Sequence, residues 1–261
     1  MNLASISGFV LCFVIILVGI ITNGGISSIG IYINFPSMFV TFGGAFLAVL
    51  AACDSFEDFL SGLKSFPEAL KSQKVSVAQI PVKILEISEL ARKEGLLALE
   101  EKAGDIDDEF MKKGIMLVVD GTDPELVKDI LMTEMVHKEE RNRVKIDFWE
   151  DLGAMAPAWG MVGTLLGLIY MMKSMGADTA SIGSGMALAL VTTLYGSVMA
   201  NWICAPIARK MKKNNEREML AMELTIEGIL SVQAGENPRV IGEKMKSFTD
   251  VDVLADSGNG G

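Results

Sequence analysis

The stretch 156–168, APAWGMVGTLLGL, has the apolar content of a membrane-spanning helix but also contains groups that weaken a helix. Pro157 has no amide hydrogen, so a helix that contains it leaves one carbonyl without its usual donor. Thr164 adds a hydroxyl, and a second charge-free stretch adds Thr192 and Thr193. Hydroxyl and carbonyl oxygens on neighbouring helices can line a narrow polar passage for a cation. These residues therefore suggest ion passage rather than catalysis.

The charge-free stretches contain no Asp, Glu, Lys, Arg or His. Routes for protons or sodium ions through membranes usually depend on an ionisable side chain. If this chain conducts ions, the carboxylate must come from a partner helix, and the sequence then describes half of a channel. The simpler alternative is that each threonine hydroxyl bonds to the carbonyl one turn back in its own helix.

Small residues recur along both stretches. In lipid, helices associate by close packing of small side chains rather than through the hydrophobic effect. We therefore predict that the two stretches form a tightly packed pair of helices. The glycines assigned to this packing are Gly160, Gly163, Gly167 and Gly196.

The charges of the chain are strongly segregated, because the first charged side chain is Asp54 and two later stretches are also empty of charge. A hydrocarbon core about 30 Å thick needs roughly 20 apolar residues of helix. The sequence predicts an all-α membrane protein in which four transmembrane helices form two hairpins and a helical domain lies in the cytoplasm. The predicted spans are about 3–22, 35–53, 152–172 and 182–207.

These spans divide the chain into four parts. The predicted parts are a transmembrane hairpin at 1–53, a cytoplasmic helical domain at 54–150, a second transmembrane hairpin at 151–207 that lines the ion path, and a cytoplasmic C-terminal helix and tail at 208–261. Basic residues cluster just before the third span and just after the fourth, so both termini should be cytoplasmic. The formal net charge of −10 argues against nucleic-acid binding.

Several local signals outside the spans predict helix ends. Gly95 should end one helix, Asp123 should cap the helix that starts at Pro124, and GENPRV should separate the last two helices. The segment IMLVVD is expected to be helical, and the tail SGNGG should be frayed. The single histidine, His137, and the three scattered cysteines form no catalytic or metal-ligand pattern. We predict a protein that is not an enzyme and has no cofactor or metal.

Four segments in order, LARKEGLLALE, APAWGMVGTLLGL, ALVTTLYGSVMAN and MELTIEGILSVQAGENPRV, resemble the MotA stator proteins of the bacterial flagellar motor, in the MotA/TolQ/ExbB proton channel family. The resemblance implies a multi-pass protein of the bacterial inner membrane that forms a pentamer around a MotB dimer. In this family, MotB is a single-span protein that supplies the ion-binding aspartate, and the ring pushes the rotor protein FliG. Protons are the expected ion, with sodium as the alternative.

The resemblance also assigns roles to residues. Pro157 and Pro206 match the prolines that couple ion passage to conformational change. Thr164 and one or both of Thr192 and Thr193 match threonines of the ion path, and the sequence does not decide which of the adjacent pair faces it. For Pro206, the alternative is that it only marks the exit of the fourth helix from the membrane.

The resemblance assigns charged residues outside the spans as well. Arg92 and Glu100 match a pair associated with the rotor contact, although a salt-bridged solvent face is the alternative. Asp147, Glu150 and Asp151 stand at the cytoplasmic mouth of the third helix, where they could attract cations or simply mark the membrane boundary.

Two other functions remain open at this point. One is an ExbB/TolQ-like energiser of envelope transport, although two spans before the large loop favour the stator. The other is a passive membrane scaffold, against which the polar stripes argue. A secondary transporter would need its own ionisable residue within the membrane.

Overall fold

The computed structural model describes residues 3–70, 77–174 and 179–247, and these residues form helices and turns with no strand. The tail SGNGG and part of the connection between the third and fourth spans lie outside the described residues. The chain divides into a spanning unit, residues 1–72 and 143–212, and a second unit, residues 73–142 and 213–261. Four helices are long and apolar enough to cross a membrane, which confirms the predicted fold class.

The α-helices are, in chain order, α1 (Leu3–Gly24), α2 (Phe35–Ala52), α3 (Phe56–Lys64), α4 (Phe66–Leu70), α5 (Gln79–Glu94), α6 (Leu99–Gly104), α7 (Glu109–Val119), α8 (Pro124–Ser174), α9 (Thr179–Val198), α10 (Ala205–Gln233) and α11 (Pro238–Lys246). Short 3-10 turns precede α2 at Ile26–Tyr32 and α6 at Leu96–Ala98. A π-helical turn lies within α2 at Phe39–Gly43, and another joins α9 to α10 at Met199–Cys204.

Helix α8 is a single helix of 51 residues, which joins the helix predicted to start at Pro124 to the predicted span 152–172. The continuity has a local cause, because residues 138–152 contain neither glycine nor proline to interrupt the helix. Its start agrees with the prediction: the Asp123 carboxylate accepts a hydrogen bond from the Glu125 amide at 2.9 Å.

Polar contacts attach α2 to α9 in the spanning unit. The buried Thr41 hydroxyl donates to the Thr192 carbonyl at 3.4 Å, and the Tyr195 hydroxyl donates to the Tyr32 carbonyl and accepts from the Asn34 amide. Three residues after Thr41, Gly44 lies so close to the Trp159 ring that an added methyl group would be 2.1 Å from it. Helix α2 therefore packs closely against both α8 and α9.

The second unit has its own apolar core, built from α5 to α7, the first part of α8, and α10 and α11. Its fully buried side chains include Ile84, Leu99, Met111, Leu131, Leu224 and Met245. Gly95 ends α5 with a φ of 91°, which confirms the predicted glycine terminus. Asn237 caps α11, so the predicted break at GENPRV is also confirmed.

Candidate ion-conducting site

The glycines bring α8 and α9 into backbone contact. A methyl group added at Gly196 would lie 2.5 Å from the Ala156 carbonyl oxygen, and one at Gly167 would lie 2.7 Å from the Ala189 amide nitrogen. A methyl group added at Gly160 would lie 3.0 Å from the Thr192 carbonyl oxygen. Only glycine leaves room for this approach.

This contact brings the hydroxyls of Thr164 and Thr193 together. They hydrogen bond to each other, and both reach the Ala189 carbonyl oxygen, at 3.1 Å from Thr164 and 3.3 Å from Thr193. The Thr164 hydroxyl also lies 3.0 Å from the Gly160 carbonyl oxygen. Thr193 is exposed and Thr164 is half-buried, so the cluster opens onto the surface of the chain. Its oxygens are of the kind that coordinate a hard cation.

Thr192 has a different environment from its neighbour. Its side chain is fully buried, and its hydroxyl donates within its own helix, to the Leu188 or Ala189 carbonyl at 3.0 Å. Its methyl carbon lies 2.5 Å from where a methyl group on Gly163 would stand. Thr192 therefore fills the contact between helices, while Thr193 belongs to the open cluster.

Pro157 lies inside α8, beside the glycine contact. Its missing amide leaves the Gly153 carbonyl without the usual donor four residues on. The Pro157 Cα would be 3.1 Å from a methyl group on Gly196. The helix continues through this proline without a break, so the backbone change is local.

Pro206 is exposed and lies two residues after the end of the π-helical turn Met199–Cys204. A proline in the first turn of the next α-helical segment leaves the Trp202 carbonyl without its usual donor, and a π turn is a common way to absorb such a change. The two predicted coupling prolines thus occupy different positions, one within α8 and one at the junction of α9 and α10.

The predicted rotor pair lies in the second unit. Arg92 is in the last turn of α5 and Glu100 in the first turn of α6, with Gly95 between them, so two helices carry the pair. Both side chains are exposed, and neither forms a salt bridge with any residue that the structure describes. The structure therefore does not bring them together as an ion pair.

The predicted mouth residues Asp147, Glu150 and Asp151 are all exposed on α8. Asp147 pairs with Arg143 at 3.6 Å, one turn earlier on the same helix. An exposed pair of this spacing contributes only about 0.3–0.5 kcal/mol. Within the described ranges, no group of three His, Cys, Asp or Glu side chains could hold a metal ion.

Sequence reasoning missed the residues that position Thr192. Ser37 and Thr41, one turn apart on α2, are both fully buried, and the Ser37 hydroxyl lies 3.5 Å from the Leu188 carbonyl. The available signal was the occurrence of two hydroxyl side chains at a spacing of four within a charge-free span, which places them on one face.

The fold and this site define a helical membrane protein that brings oxygen-lined walls to an ion path. Residues 102–224 match the model of the MotA/TolQ/ExbB proton channel family. Motility protein A of Treponema phagedenis is 40% identical over 94% of this chain and 93% of its own length. The chain belongs to the MotA/TolQ/ExbB proton channel family, as the sequence resemblance indicated.

Two solved structures extend this likeness to the fold. The structure of C. jejuni MotAB has a TM-score of 0.85 and 27% identity, and covers 95% of this chain and 96% of its own. The flagellar MotAB stator complex from Bacillus subtilis has a TM-score of 0.84 and 29% identity, and covers 99% of this chain and 100% of its own.

The glycine contact generates a test with a matched control. Gly196→Ala should separate α8 from α9 and lower the free energy of unfolding by about 1–3 kcal/mol, the usual cost of overpacking. Gly183→Ala on α9, where an added methyl group has no atom within 4 Å, should be neutral or slightly stabilising. Thermal unfolding of the two detergent-purified variants measures the difference. Equal stability of the two would contradict the proposed close packing.

Proposed function

We propose that this chain is the ion-conducting stator subunit of the bacterial flagellar motor, which couples inward ion flow to torque on the rotor. The observation that carries the proposal is the open cluster formed by Thr164, Thr193 and the Ala189 carbonyl, on spans that contain no Asp, Glu, Lys, Arg or His. Such a wall can pass a cation onward but cannot bind and release it alone.

The missing carboxylate identifies the partner. A MotB-like single-span protein supplies the ion-binding aspartate, in keeping with the two similar structures, which are of MotAB complexes. Several copies of this chain surround that partner, with a pentamer around a MotB dimer as the proposed arrangement. The family is a proton channel family rather than an enzyme family, and no catalytic role or cofactor is proposed.

Thr164 and Thr193 are the proposed ion-path residues, and Thr192 is assigned to helix packing. Exposure and hydrogen bonding favour this division: Thr193 joins the open cluster, whereas Thr192 is fully buried. The proposed ion is the proton, because a chain of hydroxyls can relay it, with sodium as the alternative.

The prolines are proposed to couple ion passage to movement. Pro157 stands one turn from Gly160, whose carbonyl oxygen belongs to the Thr164 contacts, and it frees the Gly153 carbonyl. Pro206 stands where α9 passes into α10 through the π turn. At both places the helix lacks one backbone hydrogen bond and can bend at lower cost than elsewhere.

The proposed location is the bacterial inner membrane, with both termini in the cytoplasm. The basic residues that follow the fourth span, Arg209 among them, support this orientation. In this orientation Asp147, Glu150 and Asp151 stand at the cytoplasmic mouth of the path, where their charge attracts cations. The exposed Arg92 and Glu100 then face the cytoplasm, available to the rotor protein FliG.

Restoring the gene to a strain that lacks it tests the whole function. We expect flagella that are fully built but paralysed to turn again, measured as rotation of tethered cells. The same cells in sodium-free and sodium-containing media identify the ion, since proton coupling predicts rotation in both. In a strain without a second stator, normal rotation in the absence of this gene would contradict the function and favour the ExbB/TolQ-like alternative.

Replacing each threonine by valine tests the ion path, because valine keeps the shape and removes the hydroxyl. Thr164→Val and Thr193→Val should reduce ion flux and rotation at least about tenfold, equivalent to about 1.4 kcal/mol of barrier. Thr192→Val is the matched control and should stay near the wild type, since its hydroxyl bonds only within its own helix. A loss confined to Thr192→Val would reverse the assignment.

Charge reversal tests the rotor contact. Arg92→Glu and Glu100→Lys should each reduce torque while ion flux stays unchanged, because both side chains are exposed and lie outside the spans. Lys93→Glu is the control: Lys93 is also exposed, on the same helix, but pairs with Glu89 at 3.4 Å. An equal loss of torque in all three variants would indicate a general effect of charge rather than a specific contact.

A further inference from the structure

Tyr195 lies on α9 two residues after Thr193, and its half-buried side chain is directed toward α2. Its hydroxyl donates a hydrogen bond to the Tyr32 carbonyl and accepts one from the Asn34 amide at 3.1 Å. Its ring stacks on that of Phe42 in α2, with centroids 5.5 Å apart and 21° between the ring planes. One side chain of α9 therefore contacts both α2 and the segment that leads into it.

The two main-chain groups that bond to this hydroxyl flank Ile33, where the backbone is extended. Asn34 is the cap of α2, since its side chain accepts a hydrogen bond from the Ser37 amide at 3.0 Å. Main-chain groups outside regular structure need side-chain or water partners when protein covers them. Tyr195 is the partner of both groups, and so it attaches α9 to the place where α2 begins.

Helix geometry relates this contact to the ion path. Successive residues of an α-helix are rotated by about 100°, so Tyr195 and Thr193, two residues apart, point to nearly opposite sides of α9. Thr192, three residues before Tyr195, points to the same side as Tyr195 and is fully buried. A contact that holds Tyr195 against α2 therefore directs Thr193 away from α2, and there its hydroxyl bonds to that of Thr164.

The contact between the Thr164 and Thr193 hydroxyls is sensitive to rotation of α9. An α-helix with its side chains is about 10 Å wide, so a rotation of about 30° moves a side-chain atom at its surface by roughly 2–3 Å. Hydroxyl groups hydrogen bond over only about 2.5–3.0 Å between oxygens, and a displacement of this size separates them. The cluster therefore requires that the rotation of α9 be fixed.

Two other polar contacts with α2 lie on the same side of α9 as Tyr195. The Thr41 hydroxyl donates to the Thr192 carbonyl at 3.4 Å, and the Ser37 hydroxyl lies 3.5 Å from the Leu188 carbonyl. Both distances are long for bonds between oxygens. The two shorter hydrogen bonds of Tyr195, together with its stacked ring, make it the main attachment on this side.

We propose that Tyr195 is a positioning residue of the ion path. Its hydroxyl fixes the rotation of α9 about its own axis and so directs Thr193, rather than Thr192, toward Thr164. Tyr195 acts through α9, because its hydroxyl bonds to the segment before α2 and not to the threonine cluster. The inference rests on the stator function and the ion-path residues proposed above, and it adds the side chain that holds that path in place.

Removal of one hydroxyl tests this role, and the same contact offers a matched control. Tyr195→Phe deletes both hydrogen bonds and keeps the ring that stacks on Phe42. Tyr32→Phe also deletes a hydroxyl but leaves the Tyr32 carbonyl, which is the group that Tyr195 contacts. Both variants are made in the full-length chain, co-expressed with the MotB-like partner.

Disulfide formation between α8 and α9 reports the rotation of α9. The chain first receives Cys12→Ser and Cys53→Ser, and then Thr164→Cys together with either Thr193→Cys or Thr192→Cys. Membranes are oxidised briefly, and the thiols left after denaturation are counted with a maleimide polymer. The remaining native cysteine is buried and adds one constant thiol. A disulfide needs Cα atoms within about 7 Å and side chains that point toward each other, so the pair with Thr193→Cys should react faster.

The expected result of adding Tyr195→Phe is a fall of at least about threefold in the ratio of the two initial rates, as the loss of one or two hydrogen bonds implies. Tyr32→Phe should leave the ratio unchanged. With the native threonines in place, Tyr195→Phe should also lower ion flux per complex, and Tyr32→Phe should not. Phe42→Leu removes the stacked ring and is the second variant, with a fall in the same direction, should Tyr195→Phe fail to accumulate.

The inference is overturned by an unchanged rate ratio in Tyr195→Phe, or in Phe42→Leu where that variant takes its place. An equal fall in Tyr32→Phe, or a changed ratio with unchanged ion flux, would overturn it as well. The rate ratio is measured without flagellar rotation, so its outcome is separate from that of the proposed function. That function fails if the unaltered chain does not restore rotation to a strain that lacks it.

Discussion

The close approach of α8 and α9 is the contact on which the rest of the spanning unit depends. Lipid chains are as apolar as the side chains, so helices gain little by hiding apolar surface from them. The association comes from van der Waals contact between backbones, which Gly167 and Gly196 permit by having no side chain, and from hydrogen bonds between the helices, such as that of Thr164 to the Ala189 carbonyl. The same approach brings the threonines of two helices to one carbonyl, that of Ala189.

Hydrogen bonding in a medium without water is the second constraint. Every hydroxyl or carbonyl within the spans needs a protein partner, because lipid offers none. In this chain, the Thr41 hydroxyl donates a hydrogen bond to the Thr192 carbonyl, and the Tyr195 hydroxyl donates one to the Tyr32 carbonyl. Pro157 and Pro206 each remove one backbone donor, and they lie beside the glycine contact and the π turn, respectively.

Charge is divided between the parts of the chain. The charge-free stretches contain no carboxylate. Charged residues are concentrated in the second unit and in the part of α8 that precedes Leu152. A chain built in this way needs a partner to bind the ion and can present charges to another partner in water. This division is consistent with the family assignment and with an oxygen cluster that has no carboxylate beside it in its own spans.

Local patterns in the sequence determined the spans, the helix ends at Gly95 and Asp123 and, through motif resemblance, the family. They did so because hydrophobicity, caps and glycine conformation act over a few neighbouring residues. The continuous course of α8 was not predicted, because its polar part and its apolar part were each assigned from a separate local pattern. The sequence also could not tell which of Thr192 and Thr193 would be exposed, because two adjacent threonines on a helix differ only in the direction in which their side chains point. The packing of α9 against α2 and α8 buries Thr192 and leaves Thr193 exposed beside Thr164.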